Sequence, residues 1–344
     1  MINPNKKTVR QGKRHTVSSH VLVITGVVIL VILICVSITQ GTADISISTV
    51  MDAFMNFDKS NTQHLMIIDL RLPRVLASAL IGSALAAAGA IMQGTTRNPM
   101  ADSGLMGINA GAALAMSVCF AFLPGAGYGM LIFFAFLGAA LSALLISGIA
   151  AGQKGETYPL NLVLAGAAIS ALLSSLSQGI ALAFHVAKDV LFWTVGGVAG
   201  VTWQQFYILA PVISAALLGA FLLSPYVSIL NMGEGIAKGL GLNNSLIQAL
   251  CTVVVVALAG VSVSVVGAVS FVGLIVPHAA RFMVGVDYKN VIPSAAVMGG
   301  ILLVMADLGA RMINPPFEVP IGVITSLIGV PFFLYLSRKT RRCI

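Results

Sequence analysis

Charge is scarce in this sequence: only 9% of its 344 residues are charged, and aspartate plus glutamate number 11. A water-soluble domain carries roughly 25% charged residues, so a soluble globular class is excluded. Nucleotide chemistry is missing as well. No G-x-x-x-x-G-K-[ST] run occurs, so the chain has no P-loop of its own, and H-E-x-x-H is absent too. The four cysteines (Cys35, Cys119, Cys251 and Cys343) stand apart without a C-x-x-C, which argues against a disulfide or metal framework. The five histidines, His15, His20, His64, His185 and His278, are scattered and suggest no metal cluster. Without clustered acids, histidines or nucleophiles, an enzyme is disfavoured, and neither a metal nor a cofactor is expected.

What the sequence does have is apolar length. Hydrophobic residues make up 58% of it, and the mean hydropathy is +0.99. A bilayer-spanning helix needs about 20 mostly apolar residues. Runs of that kind fill nearly the whole chain and predict spans at 21–39, 72–93, 104–123, 129–151, 160–184, 204–224, 246–266, 270–285, 291–310 and 319–337. The eighth is short and interrupted by Pro277. The first follows a basic segment as a signal peptide would, but it is long for an h-region and no A-x-A site follows, so it reads as a span.

The net charge of +8 does not point to nucleic acid, because the basic residues gather at the ends. Lys6, Lys7, Arg10, Lys13 and Arg14 precede the first span, and Arg338, Lys339, Arg341 and Arg342 follow the last. Under the positive-inside rule both tails, 1–20 and 338–344, are cytoplasmic, flanking one membrane domain over 21–337. Of the 19 basic residues only Lys59, Arg71, Arg74, Lys188 and Arg311 then fall outside. The expected class is an all-α, polytopic membrane protein.

Small residues suit the spans to close packing. Ser78, Gly82, Ala86, Ala90 and Gly94 recur every fourth residue down the second span. Gly166, Ser170, Ser174 and Gln178 form a more polar face on the fifth, which fits helix packing or the lining of a polar pathway. Intramembrane carboxylates, the usual mark of ion coupling, are nearly absent. Only Asp307 lies inside a span, four residues before Arg311 on one helical face, where the two can pair. A transporter without its own ion couple takes its energy from elsewhere.

Four short segments break the apolar pattern. Arg71-Leu72-Pro73-Arg74 sits at the outer entrance of the second span, where its arginines oppose the helix dipole. They fit either lipid-phosphate anchoring or pairing with carboxylates of a docking protein. Arg97-Asn98-Pro99-Met100-Ala101-Asp102-Ser103-Gly104 follows the same span on the inside. The cytoplasmic loop 225–245 carries Glu234, Ala237, Leu240 and Gly241, with Gly241 placed as a helix C-cap. A short glycine-flanked helix there fits either a surface loop or a docking element for another protein. The last segment, 267–281, holds Pro277, His278 and Arg281, which suit capping or a pathway.

In order and spacing these residues resemble the FecCD-type permease subunits of iron-siderophore and vitamin B12 ABC importers. The likeness runs from about residue 70 to 337. It rests on Arg71-Leu-Pro-Arg74 with Gly89 and Gln93, Asn98-Pro99-x-Ala101, Gly107, Gly111-Ala112, Glu234, Ala237 and Leu240-Gly241. Phe271-Val-Gly-Leu274, Pro277-His278-x-x-Arg281, Asp307, Arg311, Glu318-x-Pro320-x-Gly322, Thr325 and Gly329-x-Pro331 complete it.

The resemblance implies a type II ABC importer permease architecture in a bacterial cytoplasmic membrane. The chain would pair with a second permease subunit, identical or related, and with two cytoplasmic ATPase subunits. An extracytoplasmic substrate-binding protein would deliver a ferric siderophore, or alternatively haem or cobalamin. By that resemblance Arg71, Arg74 and Arg311 meet the binding protein. Asn98, Pro99 and Met100 form a cytoplasmic gate, and Glu234, Ala237, Leu240 and Gly241 form the ATPase-coupling helix. Met100 stands where the family usually has leucine and Ser103 where it has proline, which leaves the bend before the third span less rigid. A stand-alone secondary transporter is the rival reading.

Overall fold

The computed structural model describes residues 18–41, 45–151, 158–314 and 317–340; most of both basic tails, Cys343 included, lies outside them. Among the described residues there is no strand. The helices are α1 (Ser19–Thr39), α2 (Ile47–Met55), α3 (Thr62–Thr96), α4 (Ile108–Phe122), α5 (Tyr128–Ala151), α6 (Tyr158–Ala183) and α7 (Ala187–Val195). After them come α8 (Trp203–Met232), α9 (Glu234–Gly239), α10 (Asn244–Val266), α11 (Val272–Val284), α12 (Tyr288–Met312) and α13 (Ile321–Thr340). Seven of these, α1, α3, α5, α6, α8, α10 and α12, are long and apolar enough to cross a membrane. The shorter apolar helices α4, α11 and the first part of α13 fall on the third, eighth and tenth predicted spans.

The middle of the bundle is α3. From Leu72 onward it is buried around nearly its whole circumference, packed chiefly against α12, α8 and α11. The small-residue stripe explains how. A Cβ built on Gly82 would collide with the carbonyl oxygen of Gly299 on α12, and one on Gly299 would collide with that of Gly82. Gly89 meets the backbone of Gly273 on α11 in the same way, and Gly111 on α4 meets Gly138 on α5. In lipid no hydrophobic force draws helices together, so this backbone-to-backbone contact carries the association. Gly89→Ala should therefore destabilise the purified protein by about 1–3 kcal/mol, because the neighbour is backbone and cannot yield. Gly148→Ala, whose Cβ enters open space on α5, is the control and should leave the melting temperature unchanged or higher.

Prolines sit differently from their sequence reading, and each has a local reason. Pro73 does not start a helix. The helix begins at Thr62 and passes through a π-helical turn, Met66–Arg71, just before it. Polar Gln63, His64 and Asp69 hid these turns from a hydropathy reading. Pro225 does not end α8, which runs to Met232, so the first part of the 225–245 loop is helix. A proline inside a helix leaves the carbonyl four residues back without its donor. For Pro225 that carbonyl is Phe221, and the Ser224 hydroxyl donates to it at 2.7 Å.

Pro277 likewise leaves α11 unbroken. The orphaned Gly273 carbonyl accepts from the Gln93 side-chain amide of α3 at 3.1 Å. The break in this span lies earlier. After α10 ends, Gly267 and Phe271 adopt positive φ (74° and 69°), and residues 267–270 run non-helically into the bundle. At about 1.5 Å per residue α11 alone is too short to cross a bilayer. The segment before it supplies the outer part, a conformation tolerated within a membrane where protein surrounds it.

Candidate functional site

The two ends of the bundle hold different chemistry. At the end that the charge asymmetry assigns to the outside, Arg71 and Arg74 meet Arg311, which lies far along the sequence. All three are buried, at 7%, 9% and 4% exposure. Arg74 Nε and Nη2 donate to Asp307 Oδ1 at 2.9 and 2.8 Å, and its Nη1 donates to Glu318 Oε1 at 2.8 Å. Arg311 pairs with the second oxygen of Asp307 at 3.1 Å, as the i, i+4 spacing predicts. Arg311 also donates to the Ser37 carbonyl at 3.1 Å and to the Ser37 hydroxyl. Arg71 donates to the carbonyls of Ile38 and Thr39 at 2.6 and 3.1 Å.

Arg71 and Arg311 thus occupy the C-terminal end of α1, where unpaired carbonyls and the helix dipole both favour cations. The dipole argument from sequence placed Arg71 and Arg74 at the N-terminus of their own helix. Because that helix starts at Thr62, the relevant dipole is the one of α1, and it is favourable. Three arginines against two carboxylates leave this cluster net positive. Glu318 is its accessible member, with one-third of its side chain exposed.

At the opposite end α3 stops at Arg97, which adopts the left-handed conformation (φ 54°) usually left to glycine. The chain then turns at Asn98-Pro99-Met100-Ala101. Asn98 Oδ1 accepts the Met100 N–H at 2.9 Å, and the Ala101 N–H reaches the Asn98 carbonyl at 3.1 Å. Asp102 caps the 3-10 turn Ser103–Met106 through the Ser103 N–H.

Beside this turn lies α9. Gly233 (φ 122°) breaks it from α8, and Gly241 (φ 79°) ends it. The Gly241 N–H bonds to the Lys238 carbonyl and the Leu242 N–H to that of Ala237. That pair of bonds is a Schellman cap, the role expected of Gly241. Ala237 is fully buried against its own chain, whereas Ile236 and Leu240 are 53% and 63% exposed. Glu234 lies 3.8 Å from Arg97, so the short helix and the segment that starts the Asn98 turn are joined by an ion pair.

A polar network that the sequence reading did not assemble ties these pieces to the bundle. Arg281 donates to Gln93 at 2.6 Å and to the Tyr288 hydroxyl at 3.2 Å. The Tyr288 N–H reaches Ser228 Oγ at 2.8 Å, and Ser228 donates to Asp287 at 2.6 Å. The chain of contacts runs from α3 through α11 and α12 to α8, one turn before α9. Its sequence signal was Pro277, whose missing N–H calls for a donor. His278, expected beside Arg281, instead packs edge-on against Phe332 with ring centroids 5.6 Å apart.

Between the two ends a cleft of about 620 Å³ opens along α13. Val195, Ala268, Ser270, Val323 and Leu327 are among its lining, which is almost wholly apolar. The described part of α6 is likewise little covered. Ser175 and Gln178 are exposed on it, whereas Ser177 is buried and bonded to Ser117 of α4. Among the described residues no group of three or more His, Cys, Asp or Glu could hold a metal ion.

Comparison with known proteins agrees with this geometry. The FecCD transport family matches residues 29–339. The chain is 43% identical to the iron(3+)-hydroxamate import system permease protein FhuB of Bacillus subtilis, covering 99% of this chain and 93% of that one. It is 38% identical to the Fe(3+) dicitrate transport system permease protein FecC of Escherichia coli, over 80% and 83% of the two chains. Its fold matches a solved inward-facing conformation described as a metal-chelate type ABC transporter, with a TM-score of 0.82 at 25% identity, covering 93% and 99%. An all-helical, multi-pass membrane chain carrying these residues in this order belongs to the FecCD transport family of ABC importer permeases.

Proposed function

We propose that this chain is the membrane subunit through which an ATP-driven importer passes a ferric siderophore into the cell by alternating access. The observation that carries the reading is α9. A six-residue helix between two left-handed glycines exposes Ile236 and Leu240 at the inner end while Ala237 anchors it. Exposed apolar side chains on a short rigid helix suit a groove on a partner. Glu234, Ala237, Leu240 and Gly241 form the lever on which a cytoplasmic ATPase acts. Two such ATPases serve a pair of permease subunits. The Glu234–Arg97 pair passes the movement to Asn98, Pro99 and Met100, which close the inner end of the path.

A second permease subunit, a copy or a relative, faces the cleft along α13 and the uncovered polar side of α6. Exposed Gln178 supports this, since a polar side chain facing lipid carries a desolvation cost that a water-filled path between subunits avoids. At the outer end a binding protein docks over Arg71, Arg74 and Arg311. Because all three are buried, an acidic side chain of that protein reaches them by displacing Glu318 from Arg74. Ferric hydroxamate is the favoured cargo on the strength of the 43% identity to a hydroxamate permease.

The test is reconstitution into proteoliposomes with the cognate ATPase, second permease and binding protein. Ferric-hydroxamate uptake should require all components and ATP, and persist when ionophores collapse the ion gradients. Uphill uptake by this chain alone, driven by an ion gradient, would overturn the reading.

A further inference from the structure

The helix α2 has three distinct faces, and only one of them is covered by protein. Val50 and Ala53 point inward. Ala53 is 1% exposed and sits in a cluster with Ile38, Ile45 and Ile67, against which Leu33, Ile34 and Val50 pack. Ser48, Thr49, Asp52 and Asn56 share a second arc that is polar throughout, and Asp52 approaches His64 at 3.5 Å. Ile47, Met51, Phe54 and Met55 share the third arc, at 73%, 52%, 53% and 74% exposure. Phe57 continues it at 43%.

We propose that α2 is an interfacial helix of the outer membrane leaflet, with the Ile47–Met51–Phe54–Met55 arc seated among phospholipid acyl chains just below the head groups. Depth supports this first. The inward face of α2 joins a cluster with Ile38 of α1, against which Leu33 and Ile34 of the same helix also pack, and α1 ends at Thr39. At about 1.5 Å per residue those positions lie within roughly 9 Å of the end of a membrane-spanning helix, the band in which amphipathic helices insert.

The level of the surrounding surface supports it second. Ile32 and Val36 of α1 and Leu70 of α3 are exposed at this end of the bundle, at 55%, 39% and 61%, so apolar side chains are open to lipid at this level. Helix stability supports it third. The helix has nine residues and is defined by a Ser46 cap that accepts the Thr49 N–H at 3.1 Å. Isolated helices shorter than about 12–15 residues are marginal in water, so burial of its faces must hold it.

The polar arc belongs in water, and Val50 with Ala53 covers only one side, which leaves lipid for the apolar arc. A soluble partner fits poorly, because each release would return four large apolar side chains to water. The inference rests only on membrane insertion and is independent of cargo and of α9.

Tryptophan placed on the two uncovered arcs tests it. The full chain, parent and variants, is reconstituted in phosphatidylethanolamine–phosphatidylglycerol vesicles with or without brominated acyl chains. Subtracting parent emission removes Trp193 and Trp203. Met51→Trp should emit at shorter wavelength and lose intensity to bromine near the carbonyl end of the acyl chain more than to bromine at its middle. Ser48→Trp should be quenched by aqueous iodide and little by bromolipid. Met55→Trp replaces the first variant should that one fold poorly. Iodide quenching of the Met51 or Met55 probe without bromolipid quenching would overturn the proposal. So would bromolipid quenching that vanishes on adding the cognate binding protein or second permease, because the arc would then belong to that partner.

Discussion

Replacing Asp307 with asparagine is expected to cost about 3–5 kcal/mol, the range found when one partner of a buried ion pair is removed. Asp307 is 1% exposed and serves both Arg74 and Arg311. Its loss leaves two buried guanidinium groups with Glu318 as the remaining carboxylate. The consequence reaches beyond the pair, because Arg311 also holds the Ser37 carbonyl at the end of α1. We expect Asp307→Asn to lower the melting temperature of the detergent-purified chain sharply and to reduce its amount in the membrane. Glu318→Gln should cost under about 1 kcal/mol, since exposed ion pairs contribute little. Equal stability of Asp307→Asn and parent would show that the cluster does not brace the outer end.

That cluster shows where sequence reasoning stopped. The i, i+4 relation of Asp307 and Arg311 was legible, because it needs only helical periodicity. Charge asymmetry assigned Arg71, Arg74 and Arg311 to one side of the membrane, and the three do lie at one end of the bundle. Their burial was not legible. It depends on the tertiary approach of α1 and α12 to α3, and on α1 carbonyls that any residue would present. The same holds at the inner end. Gly233 and Gly241 announced a short bounded helix, and the left-handed φ at both confirms why glycine stands there.

Boundaries failed at proline. The second span was expected to begin beside Pro73, the sixth to end just before Pro225 and the eighth to be interrupted at Pro277, but each proline is absorbed by something non-obvious in a linear pattern. The first follows a π-helical turn; the other two have an orphaned carbonyl taken up by Ser224 or by Gln93. The true interruption, at Gly267 to Phe271, is a positive-φ break whose phenylalanine carries no propensity signal for that conformation.

Replacing Glu234 with arginine should abolish ATP-driven uptake while leaving the chain inserted and folded. Its carboxylate is one-quarter exposed and 3.8 Å from Arg97, so its contribution to the stability of the chain is small. Its position is what matters. Reversal puts two guanidinium groups side by side where α9 meets the Asn98 turn, and removes the only acid on the short helix that the ATPase is proposed to grip. Membrane level and melting temperature should match the parent, whereas uptake should fall to background and ATP hydrolysis should no longer respond to loaded binding protein. Arg97→Glu alone should be partly impaired, because it leaves Glu234 free for the ATPase but breaks the link to the turn. Unchanged uptake in Glu234→Arg would sink the assignment of α9 as the lever. Loss in Arg97→Glu with full activity in Glu234→Arg would move the working contact from α9 to the turn at Asn98, Pro99 and Met100.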